Sequence, residues 1–210
     1  MTTDQPYFHG VCVTHGSRKA SQALLSFKIQ KTDMTQARHD SLTQFLHWAT
    51  AILVISVYAI GFGREFLPKG DLKAWLMAQH IALGLITLAL VVIRIVWRVT
   101  SLAIEPATIS EQAHLAARFA HMGLYILMVA VPLVGLVAAF IKGRTVAIYG
   151  HALDNPFAIN VAIGKFLEGV HELAAHGFLA LIGLHAAAAL AHHYLLKDGV
   201  MNRMLPARSA

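Results

Sequence analysis

Charged residues and cysteine are both scarce in this sequence. Of its 210 residues, 13% are charged and 57% are hydrophobic, and the only cysteine is Cys12. Since a soluble domain is normally about 25% charged, this composition predicts an integral membrane protein. A single cysteine excludes an internal disulfide, a CxxC zinc or iron–sulfur motif and covalent haem attachment at CxxCH.

The N-terminal 33 residues are polar and mildly basic, and they lack the apolar core of a signal peptide. We therefore expect neither cleavage nor export, and we expect residues 1–33 to form a poorly ordered extension. Met34 is a candidate natural start. Residues 34–210 are expected to form one domain with four spans.

Four apolar segments follow, each close to the roughly 20 residues that a membrane-spanning helix needs. Helix is expected because lipid offers the backbone of a single segment no other way to pair its polar groups. The sequence therefore predicts an all-α integral membrane four-helix bundle, with a short interfacial helix that begins near Asn160. The predicted spans are Leu42–Phe62, Trp75–Trp97, Phe119–Ile141 and His171–Leu196.

The distribution of lysine and arginine predicts the orientation of the bundle. Eleven of these 17 residues lie on the side that carries both termini, and six lie on the other side. The positive-inside rule then places both termini in the cytoplasm. Without the four that belong to residues 1–33, the bias falls to seven against six. The formal charge of +6 is spread over loops and tails, which indicates contact with anionic lipid rather than nucleic acid.

Two histidines in the fourth predicted span share one helix face. His171 and His185 are fourteen residues apart, which is close to four helical turns and roughly 21 Å along the axis. In the predicted orientation, His171 lies toward the outer side and His185 toward the cytoplasm. His80 in the second span then matches the depth of His171, and His47 in the first span matches the depth of His185.

Ionisable groups inside a span are costly and usually functional. Two imidazoles at one depth can be the axial ligands of a b-type haem, so the sequence predicts two non-covalent haems, at His80/His171 and at His47/His185. For any one such histidine, a hydrogen-bonded contact between helices is an equally good explanation. Gly84 lies one turn after His80 and would let a porphyrin approach the backbone.

Four nearby residues are open to more than one interpretation. His192 is an alternative ligand to His185, although a position facing lipid headgroups explains it better. His121 is a ligand, a hydrogen-bond partner of a quinone, or an interfacial residue, of which the last is favoured. Arg94 either pairs with a haem propionate or extends to lipid phosphates. His176 points about 140° away from His171 and is expected to pack or to form a hydrogen bond.

Over most of residues 42–206, the sequence resembles the bacterial cytochrome b561 family of four-span, di-haem b cytochromes. The resemblance implies that one histidine in each of the first two spans and two in the fourth hold iron, and that the protein is a multi-pass protein of the bacterial inner membrane. Where the family commonly has Trp-His-Glu, this chain has Val170-His171-Glu172. The implied ligands are His47, His80, His171 and His185. The matching stretches are FLHWATAILVISVYA, AQHIALGLITLALVVIRIVWR, AHMGLYILMVAVPLVGLV and VHELAAHGFLALIGLHAAAALAHHYLLKDGVMNRMLP.

The resemblance also implies electron transfer to quinone, most directly as a superoxide:ubiquinone oxidoreductase (superoxide oxidase). Basic residues in the predicted outer loops would attract a small anion, which favours superoxide as the electron donor. The quinone is expected at the cytoplasmic end, near Arg94, Arg118 and His121. Two alternatives stay open: an electron-transfer subunit that serves a periplasmic dehydrogenase, and a haem-free transporter or scaffold whose histidines join helices.

Overall fold

Four long helices make up most of the described chain. The computed structural model describes residues 38–101, 110–148 and 151–205, so the expectation for residues 1–33 lies outside the described part. The four helices are α1 (Ser41–Gly63), α2 (Asp71–Thr100), α3 (Glu111–Ile141) and α4 (Val161–Ala191).

All four helices are long and apolar enough to cross a membrane, which confirms the predicted four spans. Large apolar side chains point outward along their length, among them Phe45, Ile126 and Leu184, each more than half exposed. In lipid such an exterior carries no hydrophobic penalty, because hydrocarbon solvates it as well as a protein core does.

Polar side chains cap three of the four helix starts. The Asp40 carboxylate accepts a hydrogen bond from the Thr43 amide at 3.0 Å, and the Ser110 hydroxyl accepts one from Ala113 at 3.3 Å. Such side chains pair amides that the first helical turn leaves without a backbone partner. The α2 helix begins after Gly70 without a side-chain cap.

The fourth helix begins ten residues before the predicted span. Asn160 caps it, accepting a hydrogen bond from the Ile163 amide at 3.1 Å. The prediction of a separate interfacial helix near Asn160 is therefore wrong, because this segment runs into the span without a break. At the other end, a π-helical turn over His192–Leu196 continues α4, and Lys197 ends it in the left-handed conformation, with φ of 52°.

A small antiparallel pair of strands, β1 (Val146–Ile148) and β2 (His151–Leu153), lies between α3 and α4. The strands were not predicted, since three-residue strands carry almost no periodic signal. Val146 is fully buried and packs with Phe140 at the end of α3. We call the side of the bundle that carries β1 and β2 the strand side.

The opposite side of the bundle, which carries residues 38–40 and 197–205, is called the terminal side. Here the C-terminal segment binds the start of α1. The His39 amide donates to the Arg203 carbonyl at 3.1 Å, and the Trp48 indole donates to the Met204 carbonyl at 3.0 Å. The positive-inside rule predicts that this side faces the cytoplasm.

The helices associate as two pairs. Most of the contacts between helices lie within α1–α2 and within α3–α4, and few lie between the two pairs. A mid-bundle core of Val91, Met128, Val131 and Phe178 joins the pairs. Toward the strand side, the space between the pairs opens into a cavity.

Candidate functional site

His80 and His171 lie opposite each other across the boundary between the helix pairs. His80 belongs to α2 and His171 to α4, and their ring centroids are 6.0 Å apart with an interplanar angle of 87°. An iron bound to two imidazole nitrogens, at about 2 Å from each as in other imidazole–metal bonds, would separate the rings by about 6 Å. The spacing therefore fits one metal centre between the two rings.

His80 is held by the neighbouring helix α1. Its Nδ1 lies 2.9 Å from the Val57 carbonyl oxygen, so this nitrogen carries the proton and donates it. One turn later, Gly61 lets the ring lie against the helix, since a Cβ at Gly61 would come within 2.8 Å of the imidazole. The Nε2 lone pair then remains available for a metal.

His171 is held in the same way by α3. Its Nδ1 donates to the Val131 carbonyl oxygen at 2.9 Å, and Gly135, again one turn later, lies under the ring. A Cβ at Gly135 would come within 2.7 Å of the imidazole. A carbonyl that holds the second ring nitrogen is the usual outer-shell support of a metal-binding histidine.

A second pair, His47 and His185, lies farther toward the terminal side. The ring centroids of these residues, from α1 and α4, are 6.5 Å apart. Arg94 of α2 places its guanidinium 2.9 Å from His47 Nδ1 and 5.6 Å from the centre of the Tyr125 ring. This pair therefore has a cationic neighbour, whereas backbone carbonyls support the strand-side pair.

His121 and His192 occupy different places. The His121 ring centroid lies 5.3 Å from that of His185, a contact that the interfacial interpretation did not predict. That separation is shorter than two rings bridged by iron would have, which favours His47 as the partner of His185. His192 places Nδ1 2.5 Å from the Asp198 carboxylate. Arg118 is exposed on α3, one turn before His121.

A cavity of about 630 Å³ extends from the strand side toward the middle of the bundle, between the two helix pairs. His80 and His171 both line it. Its size falls in the range of sites that hold small organic ligands. Small and apolar side chains form much of the wall, including Gly61, Gly84, Gly135, Met128 and Phe178.

The strand-side mouth of the cavity is rich in cations. Lys142 and Arg144 both pair with Glu168, and the Arg144–Glu168 distance is 3.0 Å. Arg64 pairs with Glu65 at 2.8 Å. Within the described residues, Arg64 Nε is buried and has no hydrogen-bond partner. A buried donor of this kind needs an acceptor, and a carboxylate of a bound group would supply one.

These features fit a planar iron porphyrin at the strand-side pair. Two imidazoles lie 6.0 Å apart with Nδ1 of each bonded to a carbonyl, which leaves Nε2 free. Glycines remove the side chains that would block close approach, and a guanidinium nitrogen without a hydrogen-bond partner among the described residues lines the opening. The rings of His47 and His185 have a similar spacing. Because the Arg94 guanidinium can only donate to His47 Nδ1, the proton of a neutral His47 ring lies on Nε2 and has to leave that nitrogen when it binds iron. The predicted hydrogen bond of His176 is confirmed: Tyr58 Oη lies 2.9 Å from its Nδ1.

One family model and several known proteins are similar to this chain. A family model described as prokaryotic cytochrome b561 matches residues 38–207. A protein of Yersinia pestis named probable superoxide oxidase CybB is 29% identical over 164 residues, covering 77% of this chain and 92% of the relative. Cytochrome b561 homolog 1 of Escherichia coli K12 is 32% identical over 167 residues, covering 78% of this chain and 94% of the relative. Cytochrome b561 homolog 2 of the same strain is 29% identical over 177 residues, covering 81% of this chain and 93% of the relative.

Proposed function

Because the chain belongs to the prokaryotic cytochrome b561 family, we propose that it is a di-haem membrane cytochrome that oxidises superoxide and reduces ubiquinone. The proposed axial ligands are His80 with His171 and His47 with His185. The observation that carries the proposal is that both pairs join the two helix pairs at ring separations of 6.0 and 6.5 Å. The proposed location is the bacterial inner membrane, with both termini in the cytoplasm.

Bound between these pairs, b-type haem supplies one-electron transfer between an outer donor and the quinone. The protein fixes the imidazoles that hold it. The carbonyls of Val57 and Val131 accept from Nδ1 of His80 and His171, so Nε2 of each ring is left free to bind the proposed iron. The Arg94 guanidinium brings positive charge to the terminal-side pair.

Superoxide is the donor that the cavity mouth favours. Arg64, Lys142, Arg144 and Lys165 line this opening together with Glu65, Glu168 and Glu172. The four cations exceed the three carboxylates, and a cationic cleft raises the local concentration of small anions. The relative named probable superoxide oxidase supports the same choice. Two superoxide anions would give two electrons to one ubiquinone, which takes up two protons to form ubiquinol.

We place the ubiquinone near the terminal-side pair, where Arg94, Arg118 and His121 are the proposed contacts. His121 and Arg94 both lie beside this pair, with His121 against His185 and Arg94 against His47. An imidazole and a guanidinium both donate hydrogen bonds, which suits the carbonyl oxygens of a quinone.

The test uses the protein purified from membranes and reconstituted in liposomes. We expect a reduced-minus-oxidised b-type spectrum and a ubiquinone reduction rate that follows the supply of superoxide. His80→Ala and His171→Ala should abolish that rate, whereas His151→Asn, an exposed strand residue, should leave it unchanged. Lack of the spectrum would refute the cytochrome assignment, and a normal spectrum without superoxide-driven reduction would refute the donor. A co-purifying dehydrogenase would favour the subunit role instead.

A further inference from the structure

The two helices that carry the proposed terminal-side ligands make few contacts with each other. His47 lies on α1 and His185 on α4, and these helices belong to different helix pairs. Among the described residues, no backbone carbonyl accepts a hydrogen bond from either imidazole, whereas His80 and His171 are both held by carbonyls of neighbouring helices. The arrangement of the terminal-side pair therefore depends on what holds the ends of α1 and α4 in place.

The chain after α4 crosses from the end of this helix to the start of α1. We call residues 198–204 the C-terminal bridge. At the α4 end, His192 Nδ1 donates to the Asp198 carboxylate at 2.5 Å, and the other Asp198 oxygen accepts from the Val200 amide at 3.2 Å. His192 follows His185 by seven residues. One end of the bridge is thus bonded to the helical segment that carries a proposed ligand.

The other end of the bridge is bonded to the first turns of α1. The Arg203 carbonyl accepts from the His39 amide at 3.1 Å and from the Gln44 side chain at 3.3 Å. The Met204 carbonyl accepts from the Trp48 indole at 3.0 Å. Apolar burial adds little to helix association in lipid, so hydrogen bonds such as these contribute much of what joins helices with few direct contacts.

Trp48 connects this end of the bridge to the second proposed ligand. It follows His47 in the sequence, and the two ring centroids lie 5.3 Å apart at an interplanar angle of 72°. Because the Met204 carbonyl holds the indole N–H, the Trp48 ring is kept in one orientation and forms one side of the space open to His47. Hydrogen bonds therefore connect the helix of His185 to the side chain next to His47.

We propose that the C-terminal bridge positions His47 and His185 for iron, with Asp198 and Trp48 as its positioning residues. The proposal rests on the proposed function, because it concerns the ligands of the terminal-side haem. When the bridge is broken, the ends of α1 and α4 should separate, and one axial position should open for part of the time. The strand-side pair has its own carbonyl supports and should not change.

The first test measures carbon monoxide binding to the reduced, haem-loaded protein, because carbon monoxide binds ferrous haem only where an axial position is open. Asp198→Ala should raise the fraction of haem that binds carbon monoxide about tenfold, as expected when a hydrogen bond to a charged group is lost. Asp198→Asn, whose amide oxygen can still accept from His192, should raise it less. Asn202→Ala, an exposed position in the same segment, is the matched control. Equal carbon monoxide binding in Asp198→Ala and the parent would overturn the proposal.

A double-variant cycle distinguishes a bridge from two independent local contacts. Trp48→Phe keeps an aromatic ring beside His47 but removes the indole N–H that binds the Met204 carbonyl. A bridge broken at one end no longer holds the other, so Asp198→Ala combined with Trp48→Phe should bind no more carbon monoxide than the stronger single variant. Free-energy effects that add in full would show that each residue acts locally, which is incompatible with a bridge.

A third measurement needs no haem. In a Cys12→Ser background, nitroxide labels at Phe45→Cys on α1 and Leu190→Cys on α4, both exposed positions, report the distance between the helices by double electron–electron resonance. In haem-depleted protein, the distance distribution should broaden in Asp198→Ala and stay parental in Asn202→Ala.

The two proposals fail separately. A protein that lacks a b-type spectrum disproves the proposed function. A protein with both haems, in which neither carbon monoxide binding nor the label distance responds to Asp198→Ala, disproves only the role of the bridge.

Discussion

The imidazole rings of His80 and His171 lie 6.0 Å apart, one on the α1–α2 pair and the other on the α3–α4 pair. Because each proposed iron needs both of its imidazoles, His80→Ala and His171→Ala should each lower the haem content from about two to about one per chain. His47→Ala and His185→Ala should do the same at the other site. The pyridine haemochrome assay measures this content.

Two variants serve as controls for haem content. His192 is paired with Asp198 and His121 contacts the His185 ring, so His192→Ala and His121→Ala should each retain both haems. Loss of haem in His192→Ala, together with full retention in His185→Ala, would assign the ligand to His192 instead.

Substitution of the glycines beneath the proposed strand-side ligands should weaken haem binding as much as loss of an outer-shell residue does at other metal sites. Gly61→Ala and Gly135→Ala place a Cβ within 2.8 and 2.7 Å of the His80 and His171 rings, which must then leave their carbonyl partners. We expect haem binding about 10- to 100-fold weaker at this site, measured by haem titration of the haem-depleted protein. Gly177→Ala is the matched control, because its Cβ would meet nothing within 4 Å.

The charge of Arg94 should raise the reduction potential of one centre only. Its guanidinium lies 2.9 Å from His47 Nδ1, and a nearby positive charge favours the reduced, less positive state. Arg94→Gln should therefore lower one midpoint potential and leave the other nearly unchanged, while Arg94→Lys should lower it less. A redox titration followed at the b-type absorbance band resolves the two midpoint potentials. Equal shifts of both centres would argue against a local charge effect.

Acidification should lower the stability of the folded protein through His39 on the terminal side. Burial lowers the pKa of His39, and Arg98 and Arg203 lower it further against the opposing effect of Asp40. The folded state then binds fewer protons than the unfolded state, so this contribution to stability is present above about pH 6.5 and is lost as the pH falls below it. Between pH 7.5 and 5.5, the melting temperature of the parent should fall more than that of His39→Asn. An equal fall in melting temperature for the parent and His39→Asn would contradict the prediction.

The spans and the depths of the histidines could be predicted from sequence because both depend on helix geometry alone. A rise of about 1.5 Å per residue is enough to match His80 with His171 and His47 with His185, and the structure brings both pairs together. The start of α4 was missed because apolar content marks where lipid begins, whereas a helix begins at its cap, here Asn160.

The supporting residues of the site could not be predicted in the same way. Gly61 and Gly135 contact histidines on other helices, and the Arg94–His47 contact joins residues 47 positions apart. Such contacts depend on how neighbouring helices are rotated, which one sequence does not specify. His176 was correctly expected to form a hydrogen bond, yet its partner, Tyr58, is 118 positions away.

The division of the bundle into two helix pairs has a consequence for how the protein matures. Each pair holds itself together, and each supplies half of every proposed ligand set. We therefore expect either half to insert into the membrane as a unit on its own, and the proposed haems would hold the two halves together in addition to the mid-bundle core. If the chain is divided within residues 102–109 and the halves are expressed separately, they should associate in cells that make haem. In cells that cannot make haem, they should remain separate.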